Sequence, residues 1–192
     1  VFEDDGPNAE ADGEAAAASV KLDESNAALG GDTDGIASAT IGAATIAALF
    51  AAPAYGADGA GSVSYRLSAT DGAKTGLWLT GQSGAANEIL LKVVDGTTIE
   101  GRVGGAGALA FTVTIDAATG AVTVSQALPL EHGVDGAEPA HDDAATLQAA
   151  IHVVQRVTDG DGDYDEATSA SPLSVVFEDD GPNAEADGEA AA

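Results

Sequence analysis

The stretch LAFTVTIDAATGAVTV, residues 109–124, carries the pattern that decides the fold. Apolar residues occupy every second position from Leu109 to Ile115, with alanine or threonine between them. Such alternation is typical of a β-strand with one buried face. The segment DAATG, residues 116–120, is rich in turn formers, and the alternation resumes at Val122. The stretch therefore predicts two antiparallel strands joined by a tight turn.

The same alternation recurs in other parts of the chain. It runs from Val63 to Leu67 and again from Ile89 to Val93, where Asp95-Gly96 offers a hairpin turn. Many short strands joined by glycine and aspartate turns predict an all-β fold, an antiparallel β-sandwich. Residues 36–52 are alanine-rich and fit neither the helical nor the strand period, and residues 128–145 read as a long loop.

A perfect duplication frames the chain. The segment VFEDDGPNAEADGEAAA occurs at residues 1–17 and again at residues 176–192. Identity of this length indicates a tandem array with one full repeat and the start of the next. We therefore expect an incoming junction at 1–17, a single domain at 18–175 and the beginning of a further repeat at 176–192.

The composition excludes several partners. Six lysines and arginines stand against 32 aspartates and glutamates, a formal charge of −26. This balance argues against nucleic acid and against anionic membrane surfaces, both of which attract basic proteins. The chain has no cysteine, so disulfides cannot stabilise it, and no apolar run reaches transmembrane length. Divalent cations or a salty medium are the natural counterparts of such a charge.

The segment VTDGDGD, residues 157–163, is a candidate calcium loop. Asp159, Asp161 and Asp163 alternate with glycine, and in an extended chain every second side chain faces the same way. Calcium takes six to eight oxygen ligands, so three carboxylates need partners from elsewhere. The segment is not an EF-hand, since that motif requires glycine where Tyr164 stands and glutamate where Ala170 stands.

Several segments together resemble the repeats of giant bacterial RTX adhesins. They are VTDGDGD (157–163), VFEDDGP (176–182), YGADGAGSVSYRL (55–67), LDES (22–25) and DAATGAVTV (116–124). The resemblance implies an Ig-like extender domain, export by type I secretion to the cell surface, and a calcium-stiffened rod that serves cell adhesion and biofilm formation. It implies calcium and neighbouring repeats as partners of an otherwise monomeric domain.

Chain direction in a sandwich suggests which segments share the metal. The strand before the acidic turn runs toward one end of the sandwich, where the incoming junction is expected, so we expect the two to form one calcium site. Asp23 and Glu24 form a weaker second candidate. If the site pairs a junction with the repeat that follows it, the second junction copy is expected to hold an incomplete set of ligands. The expected calcium ligands are Glu3, Asp4, Asp5, Asp23, Glu24, Asp159, Asp161, Asp163, Glu178, Asp179 and Asp180. Asp58 is assigned to a turn, so Asp161→Asn is expected to weaken calcium binding more than Asp58→Asn.

The sequence gives little support to the hypothesis that the protein is an enzyme. The three histidines, His132, His141 and His152, share no zinc-ligand spacing, and no nucleophile elbow is present. We expect a protein that is not an enzyme. The alternative to an extender repeat is a module that binds a glycan or another surface ligand. Exposed aromatic side chains would mark such a module, but the chain has only eight aromatic residues, and a lone tryptophan such as Trp78 is more often a core residue than a sugar platform.

Overall fold

The computed structural model describes residues 6–24, 36–133 and 143–179. Within these ranges the chain forms eleven strands and one helix. The strands are β1 (Ser19–Asp23), β2 (Ser38–Ile41), β3 (Ala60–Ala69), β4 (Ile89–Val93), β5 (Thr98–Val103), β6 (Leu109–Ile115), β7 (Val122–Gln126), β8 (Ala144–Thr146), β9 (Ile151–Asp159), β10 (Tyr164–Thr168) and β11 (Ser174–Glu178). The helix α1 spans Ala43–Ala47. No helix in the described part of the chain is long and apolar enough to cross a membrane.

The strands form three sheets. The largest is antiparallel, in the order β2-β7-β6-β5-β4, and the two smaller sheets have the orders β10-β9-β3 and β1-β11-β8. The chain connects the two smaller sheets twice, because β8 leads into β9 and β10 leads into β11. Backbone hydrogen bonds from Leu147 to Val175 and from Leu173 to Ile151 bridge the step between them. The fold is all-β and sandwich-like, as the alternating pattern predicted.

Two phenylalanines join the sheets across the core. Phe111 in β6 and Phe177 in β11 are both fully buried, and their ring centroids are 5.5 Å apart. Gly101 in β5 leaves room for the Phe111 ring, since a Cβ there would lie 2.2 Å from it. Because one ring comes from the five-stranded sheet and the other from β1-β11-β8, this pair ties the two layers together.

The hairpin predicted for residues 109–124 is confirmed. β6 and β7 pair antiparallel, with Ile115 opposite Val122. Gly120 ends the turn at φ +80°, a backbone conformation that only glycine adopts at no steric cost. The Asp116 carboxylate accepts the N–H group of Thr119 and that of Ala118, which lowers the pKa of Asp116.

Two features differ from a simple antiparallel sandwich. β1 and β11 pair in parallel, with Leu22 opposite Phe177. These are the first and last strands of the domain, so no local sequence signal links them. Residues 36–52, which fit no period, form β2 and then the short α1, whose Ile46 is fully buried.

The domain has two ends, which we name by the segments they carry. The turn pole holds residues 159–163, between β9 and β10. The exit pole holds Glu178, where β11 ends. The described part of the first junction copy enters near the turn pole, because the Ala9 N–H donates to the Asp165 carboxylate at 2.9 Å and Asn8 pairs with Ala54.

Candidate metal sites

Three carboxylates converge at the turn pole. Asp58, Asp159 and Asp161 each offer an oxygen, and these oxygens lie within 4.8 Å of one another. Strand pairing brings them together, because β3 begins at Ala60, directly opposite Asp159 at the end of β9. Asp58 lies in the turn just before β3. Carboxylates this close repel one another unless a cation shares them.

Asp159 is the unusual member of this group. It is only 3% exposed, whereas Asp58 and Asp161 are exposed. Its Oδ1 accepts the Gly162 N–H at 3.0 Å, but its Oδ2 is buried without a hydrogen-bond partner in the described structure. A buried carboxylate oxygen is costly unless a donor or a cation compensates it. The group therefore has the charge, the oxygen chemistry and the unsatisfied atom of a cation site.

Glycine makes the close approach of the two loops possible. A Cβ on Gly160 would lie 2.3 Å from the Asp58 carbonyl oxygen, and one on Gly61 would lie 2.1 Å from the Asp159 carbonyl oxygen. Both contacts are shorter than real Cβ atoms allow. Gly160 in the acidic turn and Gly61 in β3 thus let the Asp58 loop pack directly against the turn.

Replacing one of these glycines gives a direct test of the packing. We expect Gly160→Ala to lower the free energy of unfolding by about 1–3 kcal/mol, the usual cost of overpacking, because the new methyl group must push the Asp58 backbone away. Gly13→Ala is the matched control, since a Cβ there meets nothing within 4 Å. Its effect should stay within about 0.5 kcal/mol. Equal effects of the two variants in urea unfolding would contradict the packing.

The structure brings together part of the calcium set predicted at this pole. Asp159 and Asp161 belong to the three-carboxylate group, while the Asp163 carboxylate does not. The backbone carbonyl of Asp163 instead accepts the Asp159 N–H at 3.0 Å. Glu3, Asp4 and Asp5 lie outside the described residues, so their share in the site stays a prediction.

A second group lies at the exit pole. Glu24 follows β1, His132 lies in the loop after β7, and Asp179 follows β11. Each offers a ligand atom within 4.8 Å of the others. Glu24 is 4% exposed and His132 is 9% exposed. This group unites two of the predicted sets, because Glu24 and Asp179 meet across the parallel pair of strands. Asp180 lies outside the described residues.

Glu24 is held firmly in this group. Its Oε1 accepts the Leu130 N–H at 2.8 Å and a hydrogen bond from the Gln126 amide, and it lies 3.4 Å from His132 Nε2. Burial disfavours protonation of His132, but the carboxylates of Glu24, Asp179 and Asp143 outweigh it and raise the pKa of the imidazole. The exit pole is therefore a buried acidic site with one basic member.

Asp23 and Glu178 lie beside this group and outside it. They are paired in register between β1 and β11, and the Glu24 N–H donates to the Glu178 carbonyl at 3.0 Å. The Glu178 carboxylate forms an ion pair with Lys21 at 2.7 Å. The Glu178 carboxylate is therefore already paired with a cation of the chain itself, the Lys21 ammonium.

Sequence reasoning did not find two members of these groups. Asp58 was assigned to a turn, which is where it lies, but the pairing of β3 with β9 also carries it to the acidic turn. The sequence does not predict His132 as a ligand, because no second histidine stands at a zinc-ligand spacing. No spacing could have revealed it, since its neighbours Glu24 and Asp179 come from opposite ends of the chain.

Comparison with known proteins identifies a family. No curated protein and no solved structure matches the chain. Residues 19–170 match the family described as Domain of unknown function (DUF5801), from the start of β1 to the end of the β9–β10 hairpin and just beyond. This match covers most of the chain, which therefore belongs to the DUF5801 family.

Proposed function

We propose that this domain is a calcium-stabilised extender repeat of a large secreted bacterial surface adhesin. The observation that carries the proposal is the buried Asp159 oxygen, unpaired in the described structure and grouped with two further carboxylates. Calcium prefers carboxylate and carbonyl oxygens, and this turn offers both. The formal charge of −26 agrees with a protein that works with divalent cations bound.

The duplicated segment supports an array of such repeats. In the first copy, Asn8 pairs with Ala54, Ala11 pairs with Phe50, and the Ala9 N–H binds Asp165. Residues 183–186 have the same sequence as residues 8–11. A following repeat would offer them the same surface, so the neighbouring repeat is the partner we propose. The role is mechanical and extracellular, after type I secretion, with no catalysis.

A calcium titration of carboxylate variants tests the site. Because Asp58 belongs to the group, its variant is no longer expected to be the milder one. We expect Asp161→Asn and Asp58→Asn each to weaken calcium binding by about tenfold or more, equivalent to about 1.4 kcal/mol, because each removes a charge from the group. The matched control is Asp71→Asn, which removes the same charge from a carboxylate paired with Lys92. Calorimetry with magnesium as a second cation provides the measurement. Equal affinity in all three variants would contradict a calcium site at the turn pole.

Ligand binding is the second candidate function. A groove beside the exit pole is lined by Trp78, Glu131, His132 and Gln148, a mixture of aromatic and polar groups suited to a sugar. The Trp78 indole N–H donates to the Gly84 carbonyl at 2.9 Å, which fixes the ring. Because Trp78 is the single tryptophan, a change in its fluorescence on adding a glycan would favour this alternative.

A further inference from the structure

A buried histidine at the exit pole has one ring nitrogen without a partner. His132 Nε2 lies 3.4 Å from Glu24 Oε1, and since an ionised carboxylate only accepts hydrogen bonds, Nε2 carries the proton. When the ring is neutral, as metal binding requires, Nδ1 presents a lone pair. It is buried and meets no hydrogen-bond donor in the described part of the chain. A buried acceptor in this state is costly unless it binds something.

The surroundings of His132 match those of a metal-binding histidine. Such histidines usually donate their other ring N–H to a carboxylate, which fixes the tautomer and the ring orientation. Glu24 is placed to accept that proton, and it is itself held by Leu130 and Gln126. The Gln126 side-chain oxygen is also buried without a partner among the described residues. Two residues that contact the Glu24 carboxylate, His132 and Gln126, therefore each have a buried atom without a hydrogen-bond partner among the described residues.

We propose that His132 binds a divalent transition metal of the zinc class through Nδ1, with Glu24 orienting the imidazole. Asp179 offers an oxygen within 4.8 Å of a His132 ring nitrogen and is the carboxylate ligand of this site. Zinc accepts both imidazole nitrogen and carboxylate oxygen, whereas calcium takes oxygen ligands. Asp143 lines the same groove as His132 and offers a further oxygen ligand. Water completes the coordination. This site is separate from the calcium site at the turn pole and shares no residue with it.

A zinc titration of the full chain and two histidine variants tests the proposal. We expect His132→Gln to weaken zinc binding at least tenfold and to leave calcium binding unchanged. His152→Gln is the matched control, because His152 Nδ1 already lies 2.9 Å from the Ser169 carbonyl oxygen. That variant should bind zinc like the unmodified chain. Zinc affinity that is equal in the two variants, or zinc that calcium displaces from the exit pole, would overturn the proposal.

A measurement on the unmodified chain covers the case in which His132→Gln fails to fold. Long-range proton–nitrogen NMR spectra report each ring nitrogen separately. On adding zinc, the Nδ1 resonance of His132 should shift while Nε2 remains protonated. A shift confined to the other histidines, or none, would overturn the assignment. Neither result bears on calcium at the turn pole, which Asp161→Asn probes independently.

Discussion

Phe177→Ala is expected to lower the free energy of unfolding by about 3–5 kcal/mol, the usual loss when a buried phenylalanine is truncated. Phe177 is fully buried, stands opposite Leu22 in the parallel pair, and contacts Phe111 of the facing sheet. Typical domains have only about 5–15 kcal/mol in total, so this one change removes a large share. Urea unfolding followed by circular dichroism provides the measurement.

The duplication supplies an unusually close control for this variant. Phe2 stands at the same place in the first copy of the repeated segment, with the same neighbours in sequence. We expect Phe2→Ala to cost less than Phe177→Ala, because β11 belongs to this domain. Equal losses would contradict that assignment.

The same comparison bears on the domain boundary expected at residue 175. β11 continues to Glu178, and all of its pairing with β8 involves residues 176–178. A chain ending at residue 175 would therefore lose that pairing together with the Phe177 side chain. The boundary itself stays a prediction, and the stability of chains ending at 175 and at 179 would decide it.

The sequence predicted local structure better than long-range pairing. The hairpin of residues 109–124 could be read directly, since its alternation, turn and return strand all lie within sixteen residues. The parallel pair of β1 with β11 could not, because Ser19 and Ser174 are adjacent only after the whole domain has folded. Residues 36–52 gave no clear period because the segment changes from β2 to α1 within ten residues.

The candidate sites follow the same rule. Asp159 and Asp161 could be predicted because calcium loops use alternating carboxylates in one short segment. Asp58 lies about a hundred residues earlier, and only the pairing of β3 with β9 carries it there. At the exit pole, Glu24 and Asp179 were both predicted but not as neighbours. His132 connects them, but the sequence on either side of it contains no motif that indicates a metal ligand.

Asp159→Asn should change stability in opposite directions with and without calcium. In chelator, three carboxylates lie within 4.8 Å of one another and one of them is buried, so removing a charge should raise the melting temperature. In calcium, the unmodified chain should gain about 2.7 kcal/mol at a hundred times its Kd. For a chain of this size that gain corresponds to roughly 5–11 °C in Tm. The variant should lose most of it.

The opposite effects of Asp159→Asn in chelator and in calcium distinguish calcium binding from adaptation of the acidic surface to salt. If the acidic surface serves only to solvate the protein, calcium should act as general ionic strength does, and magnesium at equal concentration should have the same effect. Asp159→Asn would then behave alike in calcium and in chelator. If Asp159 binds calcium, the variant is the more stable protein in chelator and the less stable one in calcium. Melting curves of both proteins in the two conditions decide between these accounts, and parallel curves would contradict a calcium site at the turn pole.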